Sequence, residues 1–145
     1  MKFARVLILG ITLSFGACTG LDDGVHFIED YKSSYILVEG CSLTAHPVGG
    51  YHEMWVSPDA ASNADVKDGS VLVKVQWIED ANCTPDEQDL FTVMRRTAPG
   101  AGDDATDWLW QTVGGGGDII QTDAPTCAGC HAACGGSSIC TSWEP

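Results

Sequence analysis

The chain has 145 residues, with 20 acidic against 7 basic side chains, a formal charge of −13 and seven cysteines. Such acidity excludes a surface built to hold nucleic acid or anionic lipid, because both require clustered basic charge. The length suits one domain with a modest core.

The first residues read as a targeting segment. Lys2 and Arg5 open it, an apolar run from Val6 to Leu13 follows, and small residues Gly16 and Ala17 precede Cys18. This is the layout of a bacterial export signal, and it is too short for a membrane span. The Gly16-Ala17-Cys18 ending resembles a lipobox, with Phe15 where that motif usually carries Leu. Residues 1–17 are expected to be removed, Cys18 to be acylated, and residues 18–30 to form a polar tether. The folded domain then covers 31–145, held in the periplasm or outer envelope and touching membrane only through the lipid. An ordinary signal peptide cut nearby is the alternative. Removing the first 17 of 145 residues leaves 128 and takes away Lys2 and Arg5, so the charge falls from −13 to −15. That charge aids solubility and also suits a basic redox protein as partner.

A short helix is expected near Val25–Tyr31. Tyr35 to Glu39 is apolar, β-prone and bounded by Gly40, which predicts a strand. Residues 44–50, with Pro47, Gly49 and Gly50, form a loop. Glu53 to Ser57 is a second strand stopped by Pro58, and Asp59 to Val66 allows one or two helical turns. Asp68-Gly69 signals a turn. Ser70 to Ile78 then alternates clearly: Val71, Val73, Val75 and Trp77 share one face, and Leu72, Lys74, Gln76 and Ile78 the other. Lys74 therefore faces either solvent or a pocket. Residues 79–89 form an acidic loop containing Cys83. Leu90 to Arg96 is a strand, and 97–104 a Pro/Gly/Asp loop. Trp108 to Val113 and Asp118 to Thr122 pair as a hairpin across Gly114–Gly117. A loop containing Pro125 leads to the cysteine-rich tail. The fold class is mainly β: an antiparallel sheet with a few short helices.

The tail contains Cys127-Ala128-Gly129-Cys130-His131. Cys-x-x-Cys-His is the attachment signature of a c-type haem. Two thiols three positions apart can form thioethers with the two vinyl groups on one porphyrin edge, and the adjoining imidazole becomes the proximal iron ligand. The remaining cysteines fit this reading. With Cys18 lipidated and Cys127 and Cys130 on haem, four remain, an even number suited to an oxidising compartment. Cys41–Cys83 and Cys134–Cys140 are the expected disulfides. Two rivals compete: a zinc site of Cys127, Cys130, Cys134 and Cys140, and a haem-free disulfide knot in an exported lipoprotein. A thioredoxin-like redox pair needs a strand–helix setting that the surrounding Pro, Gly and Ser do not suggest. His26, His46 and His52 show no paired spacing and read as structural or surface residues. Trp55, Phe91, Met94, Trp108 and Trp110 read as core, one or two of them touching the cofactor.

The order of segments resembles the P-460-type cytochromes. The similar elements are His52, then Asp68 to Lys74, Leu90 to Met94, Gly100 followed by Asp107-Trp108, and the Cys-x-x-Cys-His near the end. The resemblance implies one covalent haem c on a face of an antiparallel sheet, His131 as proximal ligand, an open distal side, and a homodimer as a common state. It implies binding or oxidation of a small nitrogen compound such as hydroxylamine or nitric oxide. Catalytic members join a lysine to the porphyrin and use a distal carboxylate for proton transfer. Lys74 best matches that lysine, Lys67 is the other candidate, and a structural lysine is a third reading. Glu79 and Asp80 are the nearest carboxylates after the Lys74 strand. Cys134 and Cys140 depart from the usual ending. Should Met54 or Met94 occupy the sixth iron position instead, the protein is an electron-transfer cytochrome.

Overall fold

The computed structural model describes residues 24, 27, 30–44, 46, 49–60, 66–97, 107–123, 125–134 and 139–140. The export segment, Cys18 and His26 lie outside the described residues. So do most of the helix expected near Val25–Tyr31, residues 61–65 of the expected helical turns, and most of the loop after Thr97.

The described elements in chain order are α1 (Tyr31–Ser34), β1 (Ile36–Leu43), β2 (Tyr51–Val56), a 3-10 turn (Pro58–Ala60), β3 (Val71–Trp77), β4 (Leu90–Arg96), β5 (Trp108–Gly114), β6 (Ile119–Thr122), α2 (Pro125–His131) and a 3-10 turn (Ala132–Cys134). The six strands form one antiparallel meander in the order β1-β2-β3-β4-β5-β6. Each sequence-predicted strand appears, with ends shifted by a few residues. β1 runs four residues further than expected, past Gly40, with register shifts between Leu37 and Glu39 and between Glu39 and Ser42. Among the described residues no helix is long and apolar enough to cross a membrane.

Alternation along β3 builds a different core on each side of the sheet. Val71, Val73, Val75 and Trp77 meet Phe91, Val93 and Val113 on one face. Tyr31 on α1 caps this layer, its ring edge-on to Trp55 and Phe91 at 5.6 and 6.0 Å. Val73, Val75, Trp77 and Val113 are fully buried. The Trp77 indole nitrogen donates to the Thr84 carbonyl at 2.9 Å, which satisfies the one polar atom its burial would strand. Cys83, in the β3–β4 loop, joins this core and is bonded to Cys41 on β1, with 5.9 Å between the Cα atoms.

The opposite face carries Met54, Val56, Leu72, Met94, Trp108 and Trp110. It is covered by α2 and by Ile139, with Cys127 and Ala128 packed against the layer. At one end of β4 the buried Arg96 pairs with Asp107 at 3.3 Å and lies over the Trp108 ring at 5.2 Å. Toward the other end the cover is incomplete, and a cavity opens.

Candidate functional site

Helix α2 stands where the sequence predicts a loop. Pro125 occupies its first position, where a missing N–H costs nothing and the fixed φ is already helical. At about 3.6 residues per turn, Cys127, Cys130 and His131 fall on neighbouring positions of one side. Both thiols stand outside any disulfide, Cys127 half-buried and Cys130 exposed. Burial raises the Cys127 pKa, and the neighbouring Cys130 adds to the rise. The His131 ring packs on Trp110, with centroids 4.6 Å apart and planes at 56°. Its Nδ1 lies 3.7 Å from Cys140 Sγ. Cys140 is bonded to Cys134, with Cα atoms 4.9 Å apart. The imidazole therefore sits between an indole and a disulfide.

The expected bonds Cys41–Cys83 and Cys134–Cys140 are both present. The second corrects the zinc alternative: two of its four sulfurs are in a disulfide, so no four-thiolate site is available in this state. Sulfur and nitrogen atoms of His131, Cys134 and Cys140 lie within 4.8 Å of one another, but the same bond removes their thiolates. The Cys-x-x-Cys does follow a strand on a helix, a setting the sequence does not suggest. The sheet before it is wholly antiparallel, however, whereas a thioredoxin-like pair sits beside a βαβ unit.

Cys127, Cys130 and His131 line a cavity of about 760 Å³, within the roughly 300–1,000 Å³ usual for small-molecule and cofactor sites. Leu72, Met54, Met94, Trp110 and Ile139 form its apolar walls. Lys74, Glu39, Thr44, His46 and His52 form a polar wall. Of the two candidate lysines, Lys74 reaches the cavity, while Lys67 lies in the turn before β3 and does not line it. Lys74 Nζ donates to Thr44 Oγ1 at 2.7 Å. Burial lowers its pKa, partly offset by Glu39.

Sequence reasoning misses three members of the polar wall. His46 and His52, expected to be structural or surface residues, both line the cavity. His52 is only 6% exposed. The carboxylate is Glu39, from β1, rather than Glu79 or Asp80. Glu79 is exposed, and Asp80 spends its carboxylate on the backbone N–H groups of Asn82 and Thr84. Glu39 Oε2 lies 3.2 Å from His52 Nε2, and Oε1 accepts from Ser42 Oγ at 2.7 Å. Burial alone would raise the Glu39 pKa, but the hydrogen bonds from Ser42 and His52 reverse the sign and it falls. Burial pushes His46 down to about 4, helped by the positive charges of Lys74, His131 and His52. The Nδ1 atoms of His46 and His52 are buried and have no partner among the described residues.

Glu39 comes from β1 and His52 from β2, and the loop between these strands delivers His46. Gly50 turns that loop at φ +80°, and a Cβ there would run into the Trp77 carbonyl. Of the aromatic and methionine candidates, Met94 and Trp110 line the cavity, as does Met54, while Trp55 and Phe91 belong to the other face.

The donor set is compatible with a covalent haem. Two thiols outside any disulfide, an imidazole fixed by stacking and an apolar hollow of cofactor size adjoin one another. Compared with known proteins, the chain matches no family model and no curated protein.

Proposed function

We propose that this chain is an exported, lipid-anchored c-type haem protein of the P-460 kind, which binds or oxidises a small nitrogen compound of the hydroxylamine or nitric oxide class. The observation that carries the reading is the convergence of Cys127, Cys130 and His131 on one cavity whose far wall is polar. Cys127 and Cys130 would supply the thioether sulfurs, and His131 would supply a nitrogen to the iron, its ring packed on Trp110 and beside the Cys134–Cys140 bond. The haem, when bound, supplies a redox-active iron and a coordination position for the small ligand. The apolar walls exclude bulk water from that position. The Glu39–His52 pair offers a carboxylate and an imidazole that can hold or pass a proton. The acidic exterior suits a basic redox protein as electron partner. Ile36, Leu37 and Leu43, exposed apolar residues of the edge strand β1, suit the homodimer that the resemblance implies.

The test is expression of the full chain with haem-maturation machinery. The expected product carries one covalent haem, seen as a Soret band and a matching mass increase, and hydroxylamine or nitric oxide shifts that band. The Cys127→Ala/Cys130→Ala variant is expected to lose the covalent adduct. A purified protein with neither iron nor Soret absorption would leave a disulfide-stapled lipoprotein and end the proposal. A second reading rests on Met54 and Met94, whose side chains line the same cavity. A thioether from either in the sixth position makes an electron carrier, marked by a sulfur-to-iron charge-transfer band in the far red. In that case added hydroxylamine leaves the spectrum unchanged.

A further inference from the structure

The cavity is lined by the thiols of α2 and, from β3, by the Lys74 ammonium, and a porphyrin has two unlike edges. One edge carries the vinyl groups that thiols attack, and the opposite edge carries two propionate carboxylates. We propose that the Lys74 ammonium, flanked by His46 and His52, is the propionate-binding end of the cavity, so that Lys74 holds the cofactor as a counter-ion and hydrogen-bond donor rather than as a covalent link. This inference rests on the haem reading above.

The layout of the sheet supports it. α2 lies against β5, and Lys74 projects from β3, two strands away. Two strand spacings are roughly 9.5 Å, a span that a tetrapyrrole with its side chains can bridge. The thiols of α2 and the Lys74 ammonium thus line the same hollow from elements two strands apart, with Trp110 and Met94 also in its lining.

The donors around Lys74 are in surplus. An ammonium has three N–H groups, and among the described residues one of them is taken, by Thr44 Oγ1. The buried Nδ1 atoms of His46 and His52 also lack partners among the described residues, and the tautomer of His46 that protonates Nδ1 makes that atom a further donor. Unpaired buried donors are costly and call for an acceptor. Glu39 does not meet that need, because its oxygens already serve Ser42 and His52. A propionate would accept from Lys74 and from whichever imidazole nitrogen carries a proton.

The experiment separates this assignment from the haem reading itself. The full chain, made without maturation machinery, is titrated with mesohaem, whose ethyl groups cannot react with Cys127 or Cys130, and with mesohaem dimethyl ester, whose propionates are capped. The wild-type chain should bind the diacid on the order of tenfold more tightly than the ester, as for loss of a hydrogen bond to a charged group. Lys74→Gln should bring that ratio close to one, and Lys74→Arg should restore much of it. Far-UV circular dichroism confirms that each variant is folded. Equal affinity for diacid and ester in the wild type, or an unchanged ratio in a folded Lys74→Gln, would overturn the propionate assignment and leave the haem reading standing. Failure of both compounds to bind would overturn both.

Discussion

His46 shows how one residue can set a pH response. Its folded pKa, about 4, lies below the usual 6.5 because the loop buries the ring among Lys74, His131 and His52. A histidine depressed in this way binds more protons unfolded than folded between pH 6.5 and 4. Its contribution to stability is present in full above pH 6.5 and is lost as pH falls through that window. Glu39, whose pKa is also lowered, adds a further loss in the acid range below its unfolded value. Denaturant midpoints measured from about pH 7 to about pH 4 should therefore fall steadily. His46→Gln, which cannot charge, should flatten the upper part of that slope and leave the acid part. An identical slope in both proteins would show that His46 is solvated rather than buried.

A second residue-scale expectation concerns the dry core. Val93 is 1% exposed and sits between Val73 and the sheet partner Gln111. Val93→Ala removes two methyl groups, at about 0.8 kcal/mol each before any cavity penalty. A loss of about 2 kcal/mol in urea unfolding is expected.

At the scale of elements, the two disulfides do different work. Cys41–Cys83 closes a separation of 42 residues and ties β1 to the β3–β4 loop. Loop-closure entropy gives it up to about 4 kcal/mol, and Cys41→Ser/Cys83→Ser is expected to lose about 2–4. Cys134–Cys140 closes only 6 residues, worth about 2 kcal/mol on the same argument. Its larger effect is local, since it holds the chain that brings Cys140 to His131 and Ile139 into the core. Cys134→Ser/Cys140→Ser should lower the unfolding midpoint less than loss of Cys41–Cys83 but shift the His131 ring resonances by NMR. A large midpoint change with unmoved His131 signals would reverse these roles.

The same scale shows what the sequence could tell. β3 was legible because its apolar residues alternate after the Asp68-Gly69 turn, and β5 and β6 because Trp108 and Trp110 lie two apart and the glycine run marks the turn between the strands. Helix α2 was not legible. It is seven residues long, begins with Pro125 and contains Gly129, so its propensity is poor. It stands because Cys127 and Ala128 pack on the sheet, a tertiary term that no local pattern records. The Glu39–His52 contact was hidden for another reason. Two register irregularities in β1 decide which of its side chains reach the cavity, and bulges leave little trace in composition. The polar wall then follows from Gly49 and Gly50 bending the β1–β2 loop back over Lys74.

For the whole molecule, one sheet serves two purposes. Its aromatic face, sealed by α1 and the Cys41–Cys83 bond, supplies stability. Its other face is only partly sealed, and the space left open is lined by the sulfurs and imidazole of α2, by the Lys74 ammonium of β3, and by His46 and His52. On the proposed reading, the formal charge of −13 would draw a basic rather than an acidic protein partner. Raised salt should accordingly slow electron exchange with a cationic partner protein while leaving small-ligand binding unchanged, which stopped-flow spectroscopy can resolve.

The most direct test is the absorption spectrum and intact mass of the chain expressed alongside haem-maturation enzymes. The account predicts a Soret band, one haem that survives denaturation, and loss of that stable attachment when Cys127 and Cys130 are both replaced by alanine. A colourless protein of unmodified mass, with Cys127 and Cys130 bonded to each other, would contradict it.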